Sequence, residues 1–189
     1  AFSFGNSGFS TVTAVLLLPV LVLNIAPENA KNTYVGILGL SGLIVALIIQ
    51  PLTGHISDRT SLSFGRRTPY ILIGGFLTSL SILSLGFSSS FYILLSSIIF
   101  IQLCVNTALG PYYALIRDLA PKARRGVVSS FKLLADSSGS ITLLVALSFL
   151  LDAYATTGRA FWLWISLGTL SITISIMTAW TCIGIYKKE

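Results

Sequence analysis

The stretch GHISDRTSLSFGRRTP, residues 54–69, separates two strongly apolar parts of the chain and carries an Asp-Arg pair near its start and an Arg-Arg pair near its end. Residues 34–57, which overlap its start, and residues 70–87, which follow it, contain no Asp, Glu, Lys or Arg. A transmembrane helix needs roughly 20 mostly apolar residues. The stretch therefore predicts a short charged connection between two membrane-spanning helices.

The composition of the whole chain agrees with a membrane protein. Of its 189 residues, 54% are hydrophobic and 10% are charged, and the mean hydropathy is +0.88. Soluble domains carry roughly 25% charged residues, and a soluble protein of this size has too little interior to hide so much apolar surface. The sequence therefore excludes a soluble enzyme, a disordered chain and a nucleic-acid-binding module, despite its net charge of +6.

Apolar runs of similar length lie on both sides of the quoted stretch. Six runs occupy, within a few residues, positions 4–25, 34–57, 70–87, 91–116, 127–151 and 161–185. We therefore predict an all-α integral membrane fold in which a single domain, residues 1–189, contains six transmembrane helices, the first to sixth spans. Its immediate partner is the lipid bilayer.

Basic residues are concentrated on one side of these spans. The segments after the second, fourth and sixth spans hold nine of the twelve: Arg59, Arg66, Arg67, Arg117, Lys122, Arg124, Arg125, Lys187 and Lys188. The opposite side holds Lys31 and Arg159, and Lys132 falls within a span. Because basic residues are retained on the cytoplasmic side, we expect both ends of the chain in the cytoplasm.

Residues suited to catalysis or metal binding are scarce. His55 is the single histidine, so a metal or haem site built from several histidines is not possible. The sequence has no glycine-rich phosphate-binding loop, and a Ser–His–Asp triad would depend on that one ring. We therefore expect no enzyme, no metal and no cofactor.

The fifth span carries two charged residues inside the predicted membrane region. Lys132 and Asp136 are four residues apart, so they share a helix face and are able to pair. At a rise of about 1.5 Å per residue, Asp136 lies about 15 Å beyond Gly126, near the middle of a hydrocarbon core roughly 30 Å thick. Such charges need to face protein or water.

The fourth span carries a polar stripe in which Gln102, Asn106 and Tyr113 follow a helical spacing that ends at Arg117. Asn106 lies about 16 Å from Arg117, at a depth similar to that of Asp136 on the next helix. Two interpretations remain open: an ion pair and an amide that hold two helices together, or a midplane site for a solute or a proton. The candidate site comprises Gln102, Asn106, Tyr113, Lys132 and Asp136.

Small residues recur along the second span, at Gly36, Gly39, Gly42 and Ala46. Small side chains let a neighbouring helix backbone approach closely. We expect this stripe to serve helix packing.

The quoted stretch resembles the signature loop of the major facilitator superfamily, in which a glycine, an acid–base pair and a Gly-Arg-Arg group join the second and third spans. Its longer spacing between the Asp-Arg pair and the Gly-Arg-Arg group is similar to that of sucrose transporters and of the glycoside–pentoside–hexuronide symporters. In the family this loop braces the two halves of the transporter against each other. The resemblance assigns this gating role to Gly54, Asp58, Arg59, Gly65, Arg66 and Arg67.

Two further stretches carry the same resemblance. PYYALIRDLAP, residues 111–121, with the Arg-Gly pair that follows it, is similar to the connection between the fourth and fifth spans of that group, and LLLPV, residues 16–20, is similar to its first span. This second cytoplasmic connection contributes Arg117, Asp118, Arg125 and Gly126.

The chain also departs from these relatives. Melibiose-type symporters place a cation-binding aspartate just before a proline near the end of the second span, whereas Gln50 precedes Pro51 here. The proton-linked acid that plant-type sucrose transporters carry in the first span has no counterpart in residues 4–25. The resemblance therefore supplies neither of these coupling residues.

The resemblance implies the N-terminal half of a twelve-helix transporter, with the second six-helix half outside this chain. It implies a secondary transporter of the plasma membrane that moves a sugar or another small polar solute, together with a proton or cation, by alternating access. If the coupling ion is a proton, Asp136 or an acid in the second half would carry it. The alternative is a non-transporting membrane scaffold or assembly factor with the same fold.

Overall fold

The computed structural model describes residues 1–60, 67–119, 121 and 124–186. The predicted loop residues Gly65 and Arg66, and the basic residues Lys122, Lys187 and Lys188, lie outside the described residues. In the described part of the chain every regular element is a helix, and six stretches are long and apolar enough to cross a membrane. The predicted all-α fold with six spans is confirmed.

The first span combines three helical segments, an α-helix at Phe2–Val12, a π-helix at Thr13–Leu17 and an α-helix at Leu18–Leu23. A short 3-10 turn at Glu28–Ala30 leads into the second span. The second to sixth spans are Lys31–Arg59, Thr68–Ile82 continued by a 3-10 turn at Leu83–Phe87, Phe91–Leu119, Arg125–Thr157 and Ala160–Tyr186.

The fifth span is longer than its apolar run, because it ends at Thr157 rather than near residue 151. Residues 152–157 are comparatively polar but contain no Gly or Pro to stop a helix. The helix stops at Gly158, which adopts φ +65° and donates its N–H to the Tyr154 carbonyl. Glycine accepts this left-handed conformation without a steric penalty. The end of the helix is therefore set by the backbone and not by the edge of the apolar run.

The spans pack as two groups of three. The first span packs against the fifth and sixth, and the fourth packs against the second and third. The third and sixth spans also pack against each other and join the two groups. As a result, the second and fifth spans lie at the flanks of the bundle.

Buried leucines fill the centre of the bundle, contributed by nearly all the spans: Leu17, Leu38, Leu94, Leu147 and Leu167. The flanking spans keep large apolar side chains on the outside. Leu47 on the second span is 76% exposed, and Phe149 on the fifth span is 73% exposed. Surfaces of this kind are stable against hydrocarbon or against another apolar surface.

Two glycines set the closest helix contacts. A Cβ at Gly110 would collide with the Gln50 carbonyl, where the fourth span meets the second. A Cβ at Gly139 would collide with the Phe4 carbonyl, where the fifth span meets the first. Because hydrocarbon provides no hydrophobic force between helices, such close packing supplies much of the attraction between them.

We predict that Gly139→Ala destabilises the full-length protein by about 1–3 kcal/mol, since the added methyl group overpacks a backbone contact. Gly36→Ala is the matched control. Its Cβ would meet nothing within 4 Å, and alanine is the better helix former. Thermal melting in detergent measures both variants, and equal melting temperatures would contradict the assigned contact.

Candidate functional site

Arg67 links the ends of three spans at the end of the bundle where most of the basic residues lie, here called the basic end. It stands immediately before the third span, and its side chain is 9% exposed. Its Nη2 lies 2.6 Å from Asp58 Oδ1, at the end of the second span, and its Nη1 lies 2.9 Å from Asp118 Oδ2, at the end of the fourth. We call these three residues the arginine fork.

Local structure on both sides of the connection positions the fork. The second span ends when Thr60 takes an extended conformation, and Pro69 in the first turn of the third span fixes a helical start. The Thr60 hydroxyl hydrogen-bonds to the Tyr70 hydroxyl at 2.8 Å, which ties the two helix ends together directly. Arg67 is thereby held between two carboxylates.

The arginine fork has a clear electrostatic logic. The guanidinium group is nearly buried, so it needs anionic partners to offset its lost hydration. The carboxylates of Asp58 and Asp118 are half-exposed, so each ion pair alone contributes modestly. The planar guanidinium donates a hydrogen bond to Asp58 from Nη2 and forms an ion pair with Asp118 at Nη1, an arrangement that one ammonium group does not reproduce.

The fork joins two connections that were predicted as separate groups. Asp118 was predicted in the connection between the fourth and fifth spans, and it pairs with Arg67 of the connection between the second and third. Arg59 is exposed at the end of the second span, and Gly54 faces Gly110 across the contact between the second and fourth spans.

The remaining predicted residues of the second connection do not join the fork in the described part of the chain. The carbonyl of Arg117 accepts a hydrogen bond from the Arg125 side chain at 3.5 Å. Gly126 has open space around its Cα. These residues form the start of the fifth span and its junction with the fourth.

A cavity of about 590 Å³ opens beside the fork, between the second and fourth spans. It is lined by polar and charged side chains together with the glycine contact: Gln50, Gly54, His55, Asp58, Tyr113 and Arg117. Gln50 also lines a second cavity, of about 350 Å³, which lies deeper between the first, second and fourth spans. One side chain thus borders both spaces.

Gln102 and Asn106 form one wall of this deeper cavity, here called the central cavity. Asn106 is buried and donates from Nδ2 to both the carbonyl and Oε1 of Gln102, at 2.8 and 2.9 Å. The Thr53 hydroxyl donates to the Asn106 carbonyl at 3.2 Å, and Gly42 leaves room for the Gln102 side chain. The amide pair is therefore held in a fixed position by the second span.

The opposite wall consists of first-span residues that the sequence interpretation missed. Asn6, Ser10 and Thr13 all line the central cavity. Their spacing of four and three residues places them on one helix face. The spacing is visible in the sequence. Uncharged polar residues stand out less than charged ones in an apolar span, so the first-span wall was not predicted.

Lys132 and Asp136 form the ion pair that their spacing predicts, with Lys132 Nζ 2.5 Å from Asp136 Oδ2. Lys132 Nζ also lies 5.1 Å from the centre of the Tyr113 ring on the fourth span, within the range of a cation–π contact. The pair is partly exposed, at 27% and 21% of the two side chains. Protein therefore covers most of the pair and leaves part of both side chains accessible.

The structure divides the predicted candidate site into two groups. Gln102 and Asn106 line the central cavity, whereas Tyr113, Lys132 and Asp136 lie together outside its lining. A shared role of Asn106 and Asp136 in one site stays a prediction. Gly139 and Ser140 pack the fifth span against the first, whereas Lys132 on the same span reaches the Tyr113 ring of the fourth.

Hydroxyl groups continue this contact between the first and fifth spans. Ser140, one turn beyond Asp136, lies 2.8 Å from the Ser7 hydroxyl and accepts a hydrogen bond from Thr11 at 2.9 Å. Such interhelical hydrogen bonds contribute about 0.6 kcal/mol each in membrane proteins. They help to fix the rotation of the fifth span about its axis, and with it the direction in which Asp136 points.

Comparison with known proteins gives a consistent picture. A family model described as MFS/sugar transport protein matches residues 1–189. The chain is similar to Sucrose transport protein SUC3 of Arabidopsis thaliana, with 28% identity over 148 residues, 67% of this chain and 25% of that protein. It is similar to Sucrose transport protein SUT5 of Oryza sativa subsp. indica, with 36% identity over 59 residues, 31% of this chain and 11% of that protein.

The chain spans about a quarter of the length of the Arabidopsis relative. No solved structure gives a significant match.

We predict that Arg67→Lys lowers the stability of the full-length protein by about 1–2 kcal/mol, because one ammonium group does not hold two carboxylates in the fork geometry. Arg59→Lys, at an exposed position in the same connection, is the control and leaves stability unchanged. Thermal melting in detergent compares them. If both variants melt like the wild type, the fork does not hold the three spans together.

Proposed function

Since the chain belongs to the MFS/sugar transport protein family, we propose that it forms one six-helix half of a secondary transporter for a sugar. The second half, also of six helices, lies outside this chain. Multi-pass insertion follows from the six spans, and we place the complete transporter in the plasma membrane. The observation that carries the proposal is the central cavity, whose described lining is uncharged and sets amide and hydroxyl side chains among mostly apolar ones.

The chemistry of the central cavity suits a neutral polyhydroxyl solute. A sugar hydroxyl both donates and accepts hydrogen bonds, and an amide side chain does the same. Asn6 and Gln50 border the cavity on two sides, and Gln102 borders it on a third. Because Asn106 already fixes Gln102, little side-chain entropy is lost when a solute binds there. The names of the relatives make sucrose the first solute to test.

The two cavities suggest a release path toward the basic end. Gln50 lines both of them, so a solute that leaves the central cavity in this direction passes its side chain. The path ends beside Asp58 of the arginine fork. In alternating access, the fork would hold the ends of three spans in one conformation and rearrange in the other.

Asp136 is the acid that we propose for proton coupling. A charge inside hydrocarbon is expensive unless it is paired or hydrated, and Lys132 supplies the pairing charge. Protonation of Asp136 would remove the ion pair and leave Lys132 with the Tyr113 ring. Two arrangements of the same residues would then differ by one proton, which is what coupled transport requires.

The coupling role predicts a specific pattern among variants. Asp136→Asn keeps the shape of the side chain but not its titration, so proton-driven uptake is lost. Removing either charge alone destabilises the protein by at most about 3 kcal/mol, since the pair is only partly buried. The double variant Lys132→Met, Asp136→Leu should recover stability but remain inactive. Melting in detergent and uptake into proteoliposomes measure the two properties separately.

Asp152→Asn is the matched control, because Asp152 is an exposed acid on the same span. It should leave stability and uptake unchanged. A stable double variant with full proton-driven uptake would instead make the pair a purely structural contact.

The transport function itself is tested with the full-length protein in proteoliposomes. We expect saturable uptake of radiolabelled sucrose that increases with an inward proton gradient and falls when a protonophore collapses it. Sorbitol, offered in parallel, measures leakage. Insertion into the membrane without saturable uptake of any sugar would favour the scaffold function over the transporter.

A further inference from the structure

The first span changes its helical register where it borders the central cavity. In the π-helical segment Thr13–Leu17, the Leu18 N–H donates to the Thr13 carbonyl, five residues back. The next residue, Pro19, has no N–H. It therefore donates neither to the Val15 carbonyl, as an α-helix would require, nor to the Ala14 carbonyl, as a π-helix would require. Short π segments inside α-helices are frequent at functional sites.

The Thr13 hydroxyl is an unpaired polar group at this position. Thr13 is 9% exposed, and among the described residues its Oγ1 has no hydrogen-bond partner. Most other membrane-embedded threonines bond to their own helix, as Thr107 does to the Leu103 carbonyl at 2.7 Å. Thr178 on the sixth span also has a buried hydroxyl without a partner among the described residues, but it does not line the central cavity. An unsatisfied buried hydroxyl destabilises a protein. Its presence beside a cavity therefore points to a partner that the chain itself does not supply.

Both unusual features belong to residues that line the same cavity. Thr13 and Ala14 line the central cavity, on the wall that also carries Asn6 and Ser10. Gln102 lies on the fourth-span wall of that cavity. The register change thus places an unpaired hydroxyl and a backbone carbonyl without its usual donor in residues that line the central cavity.

We propose that Thr13 Oγ1 and the Ala14 carbonyl form a subsite that accepts hydrogen bonds from a hydroxyl group of the transported sugar. The subsite rests on the proposed function and adds to it the residue that selects for a donor group on the solute. A carbonyl only accepts hydrogen bonds, so this subsite favours O–H over fluorine or hydrogen at the same ring position.

The Thr13 hydroxyl reaches the solute by side-chain rotation. Its Oγ1 is shielded in this structure, and threonine in a helix populates two χ1 rotamers. Rotation exchanges the hydroxyl with the methyl group and breaks no hydrogen bond, because the hydroxyl makes none with the described residues. The exchange therefore costs no hydrogen bond and adds one acceptor to the cavity wall.

A monovalent cation would also bind such oxygens, and the lining argues against it. No Asp or Glu is among the described residues that line the central cavity. An unneutralised cation at this depth would be strongly disfavoured. A neutral sugar hydroxyl needs no countercharge.

The test compares Thr13→Val, Thr13→Ser and the control Thr107→Val in the full-length protein. Valine has nearly the shape of threonine but no hydroxyl, and serine keeps the hydroxyl. With radiolabelled sucrose, we expect Thr13→Val to raise KM roughly tenfold, the effect of one lost hydrogen bond to a buried group. Its kcat should stay near the wild-type value, and the other two variants should keep the wild-type KM.

Competition by monodeoxy and monodeoxyfluoro sucroses identifies the hydroxyl that is recognised. Wild-type protein should reject one deoxy analogue and the fluoro analogue at the same position about equally, because neither donates a hydrogen bond there. Thr13→Val should weaken that discrimination and change no other, because the Ala14 carbonyl remains as the second acceptor. In the absence of solute it should melt at or above the wild-type temperature, since it removes an unsatisfied hydroxyl.

Three outcomes would overturn the subsite. Thr13→Val would do so by keeping the wild-type KM and analogue preference, by melting well below the wild type without solute, or by abolishing a sodium requirement while sugar preference stays the same. Failure of the wild-type protein to take up any sugar is a separate result, visible before a variant is made. It removes the proposed function, and the subsite falls with it.

Discussion

The hydrocarbon interior of a bilayer offers no hydrogen bonds, and this constraint organises the whole molecule. Every polar side chain within the spans must find a partner in the chain, face a cavity or remain unsatisfied. Most hydroxyl groups in the spans bond to the carbonyl of the preceding turn, as Thr173 and Ser166 do. Several polar groups do not follow this pattern, and those on the first, fourth and fifth spans outline the candidate site. Ser171 and Thr178 on the sixth span also depart from it but do not line the central cavity.

The same constraint explains why glycines matter so much to the packing. Lipid tails solvate leucine as well as a neighbouring helix does, so burial alone does not hold the helices together. Close contacts of backbone and short polar side chains do so. Gly110 brings the second span to the fourth, and Gly139 brings the fifth to the first. These two contacts decide which polar faces meet and which are left to border a cavity.

The sequence predicted features that depend on local composition or on spacing within one helix. Apolar runs defined the six spans, and the four-residue spacing of Lys132 and Asp136 predicted their ion pair. The ends of helices were less predictable, since Gly158 and not polarity ends the fifth span.

Features that depend on how different helices are rotated were not predicted. The small-residue stripe of the second span is a clear example, because Gly36 and Gly39 face open space and Gly42 alone meets the fourth span. Asp118 joins the arginine fork for the same reason, because contacts between helices bring it to Arg67. Thr13 was missed because a π segment has no strong sequence signal beyond the proline that follows it.

The Lys132–Asp136 pair also has an electrical consequence. While both side chains are ionised, their charges cancel within one helical turn, so any displacement of the fifth span relative to the bilayer carries no net charge from the pair. Once the carboxyl group is neutral, the same displacement carries one positive charge. A membrane potential of 100 mV acts on a full charge with about 2.3 kcal/mol. The membrane potential would therefore act only on the form in which Asp136 is protonated. An inside-negative potential would favour the inward-directed movement of that form over the return of the ionised pair.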